Sequence, residues 1–416
     1  MPISDRIEMR GHILDTGELP RVLNEILEGG GDFVIERFEI GKLPKDESWV
    51  QIMVSADSVE LLREVVNRLQ EFGANLLDPG EPEIVEADVA GSLPLGFYSS
   101  TNFETEVMID GEWVTVENPE MDCGIVIEDG VPRTRPMADI EVGDRVIVGP
   151  RGVRVITEPL KMNPDDSHFE FMNSVVSSEK PQALQVRIIA DDFRRVKAQG
   201  KKILWVGGPA IVHTGSGPAM VALIKAGYVD VLFAGNALAT HDIESNMYGT
   251  SLGVDLSDAT GVEHGHEHHL RAINRVRRAG SIKAAVEEGV ITGGIMHALV
   301  TEGKEFVLVG SVRDDGPLPD VYTDVIDGQR AMRAALTDVG YSIMVATMLH
   351  AISTGNLMPA SIPLVCVDIN PATVTKLSDR GSAQAVGVVT DIGLFVEQLA
   401  LELVPEYRRT LSEAPS

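Results

Sequence analysis

Along the first eighty residues the apolar positions change period several times. Near-alternation over Arg6–His12, Phe33–Ile40 and Trp49–Ser55 predicts strands, and repeats of three and four over Gly17–Leu27 and Ser58–Phe72 predict helices. In the second helix Leu61, Leu62, Val65, Val66 and Leu69 form one apolar stripe, which Gly73 ends. Strand, helix, strand, strand, helix is the order of a small open-faced sandwich, so a ferredoxin-like α+β domain is expected over residues 1–90. From Phe97 to Ile156 the pattern turns to short alternating runs broken by Asp110-Gly111, Asp129-Gly130 and Val142-Gly143-Asp144, which predicts a small β domain over residues 91–160. The stretch from Glu158 to Val176 has no clear period and reads as a loop and a helix leading onward.

Beyond Gln199 short, β-branched apolar runs alternate with helical patterns. The predicted strands are Lys202–Val206, Val229–Ala234, Phe306–Val309, Leu364–Asp368 and Ala385–Val389. Runs apolar on both faces encode a parallel sheet covered by helices on each side, so residues 161–416 read as a doubly wound α/β domain.

Composition narrows the function. A chain of 416 residues, 44% hydrophobic and 24% charged, is globular and long enough for two or three domains. A net charge of −28 opposes a phosphate backbone and argues against nucleic acid as a partner. No run approaches the ~20 apolar residues of a membrane span, and the start Met1-Pro2-Ile3-Ser4-Asp5-Arg6 lacks the apolar core of a secretion signal. Two cysteines, Cys123 and Cys366, make neither a disulfide framework nor a thiolate metal site. A cytoplasmic protein acting on a small molecule, as a homo-oligomer, is the expectation.

In an open parallel sheet ligands gather beyond the carboxyl ends of the strands. There the sequence is glycine-rich and polar. The first predicted strand is followed by Gly207-Gly208-Pro209-Ala210 and then His213-Thr214-Gly215-Ser216-Gly217-Pro218, small residues that would let amides approach a phosphate; Met220 stands where a full fingerprint needs its third glycine. The second is followed by Gly235-Asn236-Ala237, where Asn236 is either a helix cap or a reader of a cofactor amide or ribose. The third leads into Gly310-Ser311-Val312-Arg313-Asp314-Asp315-Gly316-Pro317-Leu318-Pro319-Asp320, a stiff charged loop suited to a positioned carboxylate. The fourth ends at Asp368, the usual place of an acid that takes the ribose hydroxyls of NAD and repels the extra phosphate of NADP. Asp368 lies far downstream of the glycine-rich turn, so if it binds ribose the strand order is not that of an ordinary Rossmann domain. The fifth ends in Thr390-Asp391-Ile392-Gly393. Thr347-Met348-Leu349-His350 reads as part of an apolar helix, with His350 either a core residue or a ligand contact. The run Glu263-His264-Gly265-His266-Glu267-His268-His269 invites a metal reading, but capping or cofactor contact suits it better and no metal is expected. Cys123 is either a buried structural thiol or a nucleophile awaiting a base.

Longer runs carry a resemblance. Glu120-Met121-Asp122-Cys123-Gly124, Gly235-Asn236-Ala237-Leu238-Ala239, Tyr248-Gly249-Thr250-Ser251-Leu252-Gly253-Val254-Asp255-Leu256, the loop Arg313–Asp320 and Val367-Asp368-Ile369-Asn370-Pro371-Ala372 together resemble the archaeal-type ornithine cyclodeaminase family over nearly the whole chain. In that family the N-terminal region takes its name from the lysine-ketoglutarate reductase/saccharopine dehydrogenase domain, and the C-terminal domain binds NAD on a fold similar to deoxyhypusine synthase. The resemblance implies conversion of L-ornithine to L-proline and ammonia, with NAD lending and recovering a hydride. It implies that Asn236, Ala237, Asp315, Thr347, Met348, Leu349, His350, Asp368, Asp391 and Ile392 line the dinucleotide. Asp314, Asp315, Arg313 and Cys123 are the candidates for chemistry, an aspartate for an ammonium and Arg313 for the carboxylate. The competing readings are an NAD-dependent amino-acid dehydrogenase, an aminobutyl transferase of similar fold, and a non-catalytic regulator that binds NAD or an amino acid.

Overall fold

The structure is a computed structural model that describes residues 3–14, 17–42, 46–157, 182–251, 254–255, 267–314, 316–379 and 385–407. Two compact units are formed, one by residues 1–163 with 356–361 and the other by residues 164–355 with 362–416.

The first unit begins β1 (Ile3–Gly11), α1 (Glu18–Glu28), β2 (Asp32–Glu39), β3 (Ser48–Ala56), α2 (Val59–Gln70) and β4 (Asn75–Leu76). The four strands form an antiparallel sheet in the order β2-β3-β1-β4, which is the ferredoxin-like arrangement. β4 is only two residues long, too short to show a period, so the sequence pattern does not reveal it. Ser58 caps α2 by accepting from the Leu61 amide at 3.1 Å. The helix stripe Leu62, Val65, Val66 and Leu69 is buried against Ile7, Met9, Val50, Ile52 and Val54. Each such side chain contributes about 1.5–3 kcal/mol by leaving water.

The rest of the unit holds β5 (Glu83–Glu86), β6 (Glu104–Ile109), β7 (Glu112–Thr115), β8 (Gly124–Glu128), β9 (Val131–Arg135), β10 (Arg145–Val148) and β11 (Val153–Ile156). They make two antiparallel sheets, β5-β10-β8-β9 and β11-β6-β7. Asp110-Gly111 and Asp129-Gly130 are two-residue hairpin turns with positive φ at both positions, the geometry whose twist matches that of paired strands. Gln70 Nε2 donates to the Val153 carbonyl at 2.7 Å, and Asn75 exchanges two bonds of 2.8 Å with Val155, joining the sandwich to this β region.

The second unit opens with α3 (Gln182–Ala198), β12 (Lys202–Gly207), α4 (Ala210–His213), α5 (Gly217–Lys225), β13 (Val231–Gly235) and α6 (Asn236–Tyr248). A short hairpin, β14 (Thr250–Ser251) and β15 (Val254–Asp255), precedes α7 (His268–Ala279), α8 (Ile282–Glu287) and α9 (Gly294–Thr301). Then come β16 (Glu305–Val309), β17 (Val321–Tyr322), α10 (Val325–Ala335), β18 (Val339–Val345), α11 (Leu349–Leu357), β19 (Leu364–Asp368), α12 (Pro371–Asp379), β20 (Ala385–Val389) and α13 (Ile392–Leu403). Seven strands form one sheet, β17-β16-β13-β12-β18-β19-β20, and every pairing in it is parallel. Trp205 on β12 is fully buried, with its Nε1 donating to the Tyr228 carbonyl at 2.9 Å and Phe193 of α3 packed edge-on against it.

One strand corrects the sequence reading. Val339–Val345 is β18, next to β12 at the centre of the sheet, and Thr347 and Met348 lie in the turn after it instead of inside a helix, which starts at Leu349. The apolar run continues from Val345 through Ala346 and Met348 to Leu349 without glycine or proline, so nothing in the pattern marks its break. Ala346 makes the turn itself at φ 55°, a conformation in which glycine is far commoner.

Candidate active site

The order of strands in the second-unit sheet reverses between β12 and β18, so the crevice beyond their carboxyl ends is where a ligand is expected. Two strand–turn–helix corners meet there. Gly207-Gly208-Pro209 leads from β12 into α4, and Ala346-Thr347-Met348 leads from β18 into α11. They are packed backbone to backbone: a Cβ on Gly208 would lie 1.9 Å from the Ala346 carbonyl oxygen, so only glycine fits. The Gly208 amide donates to the Val345 carbonyl at 2.9 Å.

The β18 corner is the better cradle for a dinucleotide. α11 begins at Leu349 just beyond this corner, and the amides of a helix's first turn, which lack intrahelical partners, are the feature that attracts phosphate oxygens. Its neighbour β19 ends in Asp368, about 20 residues after the turn, which is the spacing between a phosphate turn and a ribose acid. Asp368 is buried; its Oδ1 accepts from the Asn370 amide at 2.8 Å, and its other oxygen has no hydrogen-bond partner among the described residues. A carboxylate at a strand end with one oxygen held by the backbone and the other not bonded by the described residues is suited to a pair of ribose hydroxyls. Cys366, two residues earlier, points into the core, where burial pushes its thiol up to about 12.

His350, in the first turn of α11, reaches back over the sheet. Its ring lies 3.3 Å from where a Cβ on Gly235 would sit, and it is hydrogen-bonded to the Val309 carbonyl, so it ties the β18 corner to the ends of β13 and β16. Burial lowers its pKa, which leaves the imidazole neutral at neutral pH. Thr347 is half-buried and Met348 and Leu349 are exposed on the rim, with Val312, Ile369 and Leu394 also exposed at strand ends.

Asn236 is not the cap of α6; that position is Gly235. Its Oδ1 accepts from the Leu318 amide at 3.0 Å and its Nδ2 faces Asp314 Oδ1 at 3.4 Å. Asp314 Oδ2 also accepts from the Ser311 amide at 2.7 Å, and Asp320 accepts from the Ile282 amide at 2.7 Å. The loop over residues 310–320 is therefore braced by side chains from both ends. Ala237 is half-buried beside Asn236 and Arg313 is exposed. Asp315 lies outside the described residues, as do Glu263, His264, Gly265 and His266. Asp391 caps α13 by accepting from the Leu394 amide at 2.8 Å, and Thr214, just after α4, abuts Gly393 behind Asp391 and Ile392. Asn236, His350, Asp368 and Asp391 thus stand at strand ends of one sheet. Cys123 lies in the first unit, buried, with its Sγ 3.6 Å from the Met121 carbonyl. Among the described residues no group of three or more histidine, cysteine or acidic side chains could hold a metal.

Residues 187–399 match the family described as arginine dihydrolase ArgZ-like, C-terminal, Rossmann fold; residues 104–186 match its C-terminal first region, and residues 4–103 the LOR/SDH bifunctional enzyme conserved region. The ornithine cyclodeaminase of Methanothermobacter thermautotrophicus is 51% identical over 399 residues, covering 95% of this chain and 97% of that protein. That of Methanocaldococcus jannaschii is 48% identical over 404 residues, covering 95% of each. The chain belongs to the ornithine cyclodeaminase family. Among solved structures, apo ArgZ, an arginine dihydrolase from the ornithine-ammonia cycle in cyanobacteria, superposes with a TM-score of 0.84 at 38% identity, over 97% of this chain and 58% of that one. A ternary complex of AgrE with ornithine and NAD+ covers 97% of this chain and 57% of its own, at 41% identity and a TM-score of 0.52. For an ornithine cyclodeaminase relative, the open Asp368 oxygen and the α11 amides are a donor and acceptor set that fits a dinucleotide.

The sequence pattern missed the β18 corner, because Ala346 stands where a glycine would have marked the turn.

Proposed function

We propose that this chain is an ornithine cyclodeaminase, converting L-ornithine to L-proline and ammonia, with NAD held at the β18 corner as a recycled hydride carrier. The observation that carries the proposal is the pairing of that corner with the half-open carboxylate of Asp368 on the adjacent strand. Near-full-length likeness to archaeal ornithine cyclodeaminases supports the substrate. NAD, when bound, would supply a reversible hydride acceptor for the substrate α-carbon, so that no net reductant is consumed.

The chain's own residues bind and orient. Asp368 holds ribose hydroxyls, the amides of Thr347, Met348 and Leu349 face phosphate, and Asn236, Ala237, His350, Asp391 and Ile392 line the remainder. Asp315 joins that lining in the proposal. Arg313 would clamp the amino-acid carboxylate. Asp314, or Asp315 beside it, would receive an ammonium, and Cys123 is kept as the remaining candidate. The loop bonds from Asn236 and Asp320 hold Asp314 in place, and a closed rim would keep the site dry. The proposal divides the chain at residues 1–90, 91–160 and 161–416. It places the enzyme in the cytoplasm, as a homo-oligomer in proline biosynthesis, without nucleic acid or membrane partners. The charge of −28 supports the exclusion of nucleic acid.

Purified protein incubated with L-ornithine and a trace of NAD should yield many equivalents of proline and ammonia per NAD, with no accumulation of NADH. Net NADH with a 2-oxo acid product would replace the proposal with a dehydrogenase; NAD binding without turnover of any diamino acid would replace it with a regulator.

A further inference from the structure

Beside the cradle the second unit holds side chains that none of these roles uses. His213 of α4 and His241 of α6 lie with ring centroids 4.9 Å apart, and His269 of α7 lies 6.4 Å from His241. His241 is buried, and its Nδ1 meets Glu244 Oε2 at 2.8 Å. Glu244 is fully buried and also accepts from Thr250 Oγ at 2.9 Å. His213 Nδ1 meets Ser251 Oγ at 2.7 Å, and His268 Nδ1 meets the Thr250 hydroxyl at 2.8 Å. Among the described residues, neither His213 Nε2 nor His241 Nε2 has a hydrogen-bond partner.

Pinning the β14 hairpin to α6 through Glu244, to α7 through His268 and to α4 through His213 accounts for Thr250, His268 and Ser251. It does not account for two adjacent imidazoles, each anchored through Nδ1 with the other nitrogen left over. Their position is telling. His213 closes the helix that follows the Gly207-Gly208 turn, and Thr214 after it abuts the Asp391-Ile392-Gly393 corner. His241 stands five residues beyond Asn236 on α6, about 7 Å along the axis.

We infer that His241, oriented by the Glu244 carboxylate, is the base that accepts the proton from the substrate's α-ammonium, with His213 as its neighbour in proton exchange. The assignment rests on the function proposed above. In the step the N–H bond breaks, the proton moves to His241 Nε2 and the electron pair stays on the α-nitrogen. The same group returns a proton to the departing nitrogen, so conversion of the ornithine cation to zwitterionic proline and ammonium is proton-neutral. Glu244 stabilises the imidazolium in between, as a buried carboxylate behind a histidine does in other acid–base pairs. Among the described residues the titratable groups around His241 are His213 from α4, His268 and His269 from α7, and Glu244 and Asp242 from its own helix; Asp242 is turned to the α9 amides of Ile295 and Met296. Burial, with His241 alongside, lowers the pKa of His213 and keeps it able to take up a proton.

The test compares the full-length protein with His241→Gln and Glu244→Gln, measuring proline formation against pH, NAD affinity by calorimetry and the thermal melt. His241→Gln should lose about 100-fold or more in kcat, together with the acid limb of the profile, while the NAD Kd stays within about twofold. Glu244→Gln should move the acid limb to lower pH, because the carboxylate that favours the imidazolium is gone. A folded His241→Gln with near wild-type kcat, or a Glu244→Gln limb that does not move, overturns the assignment. If Gln at 241 prevents folding, the Glu244→Gln limb decides alone, and if neither folds, the same limb in His213→Gln decides: a shift supports the pair and no shift overturns it. A wild type that makes no proline overturns the proposed function and this assignment together.

Discussion

Replacing Asp368 by asparagine removes one negative charge and little else. The residue ends β19, buried, with Oδ1 fixed by the Asn370 amide at 2.8 Å. An asparagine carbonyl can keep that turn bond, so the fold should lose less than about 1 kcal/mol. What it cannot keep is the second carboxylate oxygen, which has no hydrogen-bond partner among the described residues and which the proposed function gives to the ribose hydroxyls of NAD. Hydrogen bonds to a charged group contribute about 1.5–3 kcal/mol, which at 1.4 kcal/mol per factor of ten is about a 10- to 150-fold weakening of the NAD Kd. NADP should be affected in the opposite sense, since the carboxylate that repels its additional phosphate is gone. Calorimetric titration of wild type and Asp368→Asn with both dinucleotides, alongside a thermal melt, measures these terms separately. A folded variant with an unchanged NAD Kd refutes the reasoning and removes β19 from the site.

Gly208→Ala would set a Cβ 1.9 Å from the Ala346 carbonyl oxygen, so the two corners must separate; a loss of about 3 kcal/mol in denaturant stability and at least tenfold in NAD affinity is expected, and a variant as stable as wild type contradicts the packing. Ala346→Gly relieves a side chain held at φ 55° and should raise stability by about 1 kcal/mol, read as a shift in denaturant midpoint; a destabilised variant would mean that the turn is not left-handed in solution. Asp242 is a fully buried carboxyl whose pKa burial pushes up to about 6 from 3.8, against the opposing bonds from the Ile295 and Met296 amides. Because the folded value lies above the unfolded one, its contribution is complete below about pH 4 and is lost as pH rises through 6. Two pKa units correspond to about 3 kcal/mol. Between pH 4 and 7 the stability of wild type should therefore fall relative to Asp242→Asn by up to that amount, and a gap that stays flat with pH rejects the buried ionisation.

Most of the architecture was legible because its elements announce themselves locally. The α2 stripe, the Asp-Gly hairpins and the β-branched runs of β12, β13, β16, β19 and β20 each carry their own period or turn chemistry, and their order gives the fold class. What escaped notice lacked such a mark. β4 pairs through two residues, Asn75 and Leu76, and owes its existence to the partner strand β1. β18 has the composition of a strand but no stop signal, because an alanine occupies the left-handed position that glycine usually advertises. The candidate site shows the same effect: the sequence marks Asp368 as the end of a strand, which it is, while the turn after the adjacent strand β18 reads as helix. His241 and Glu244 were hidden differently. Their significance depends on His213, 28 residues earlier in sequence, being folded against them, and no local pattern encodes that meeting.

A parallel sheet whose order reverses at its centre offers two equivalent corners for a dinucleotide, and the chemistry of this chain separates them. In the first half, β13 ends at Gly235, where His350 approaches within 3.3 Å of the missing Cβ, and the next residue spends its amide oxygen on the Leu318 backbone. The strand itself ends in glycine and not in an acid, and the carboxylate that meets Asn236 there, Asp314, comes from the loop after β16. In the second half β19 ends in a buried aspartate with an oxygen to spare, one strand away from a left-handed turn and a helix N-terminus. The glycine-rich corner after β12 is the wall against which the turn after β18 is packed, since the Ala346 carbonyl leaves room only for glycine at Gly208. With NAD placed as proposed, the halves exchange the roles that a glycine fingerprint would assign them. On that placement the acid that would meet the ribose lies more than a hundred residues beyond the glycines and yet at ordinary spacing, about 20 residues, from the turn before α11.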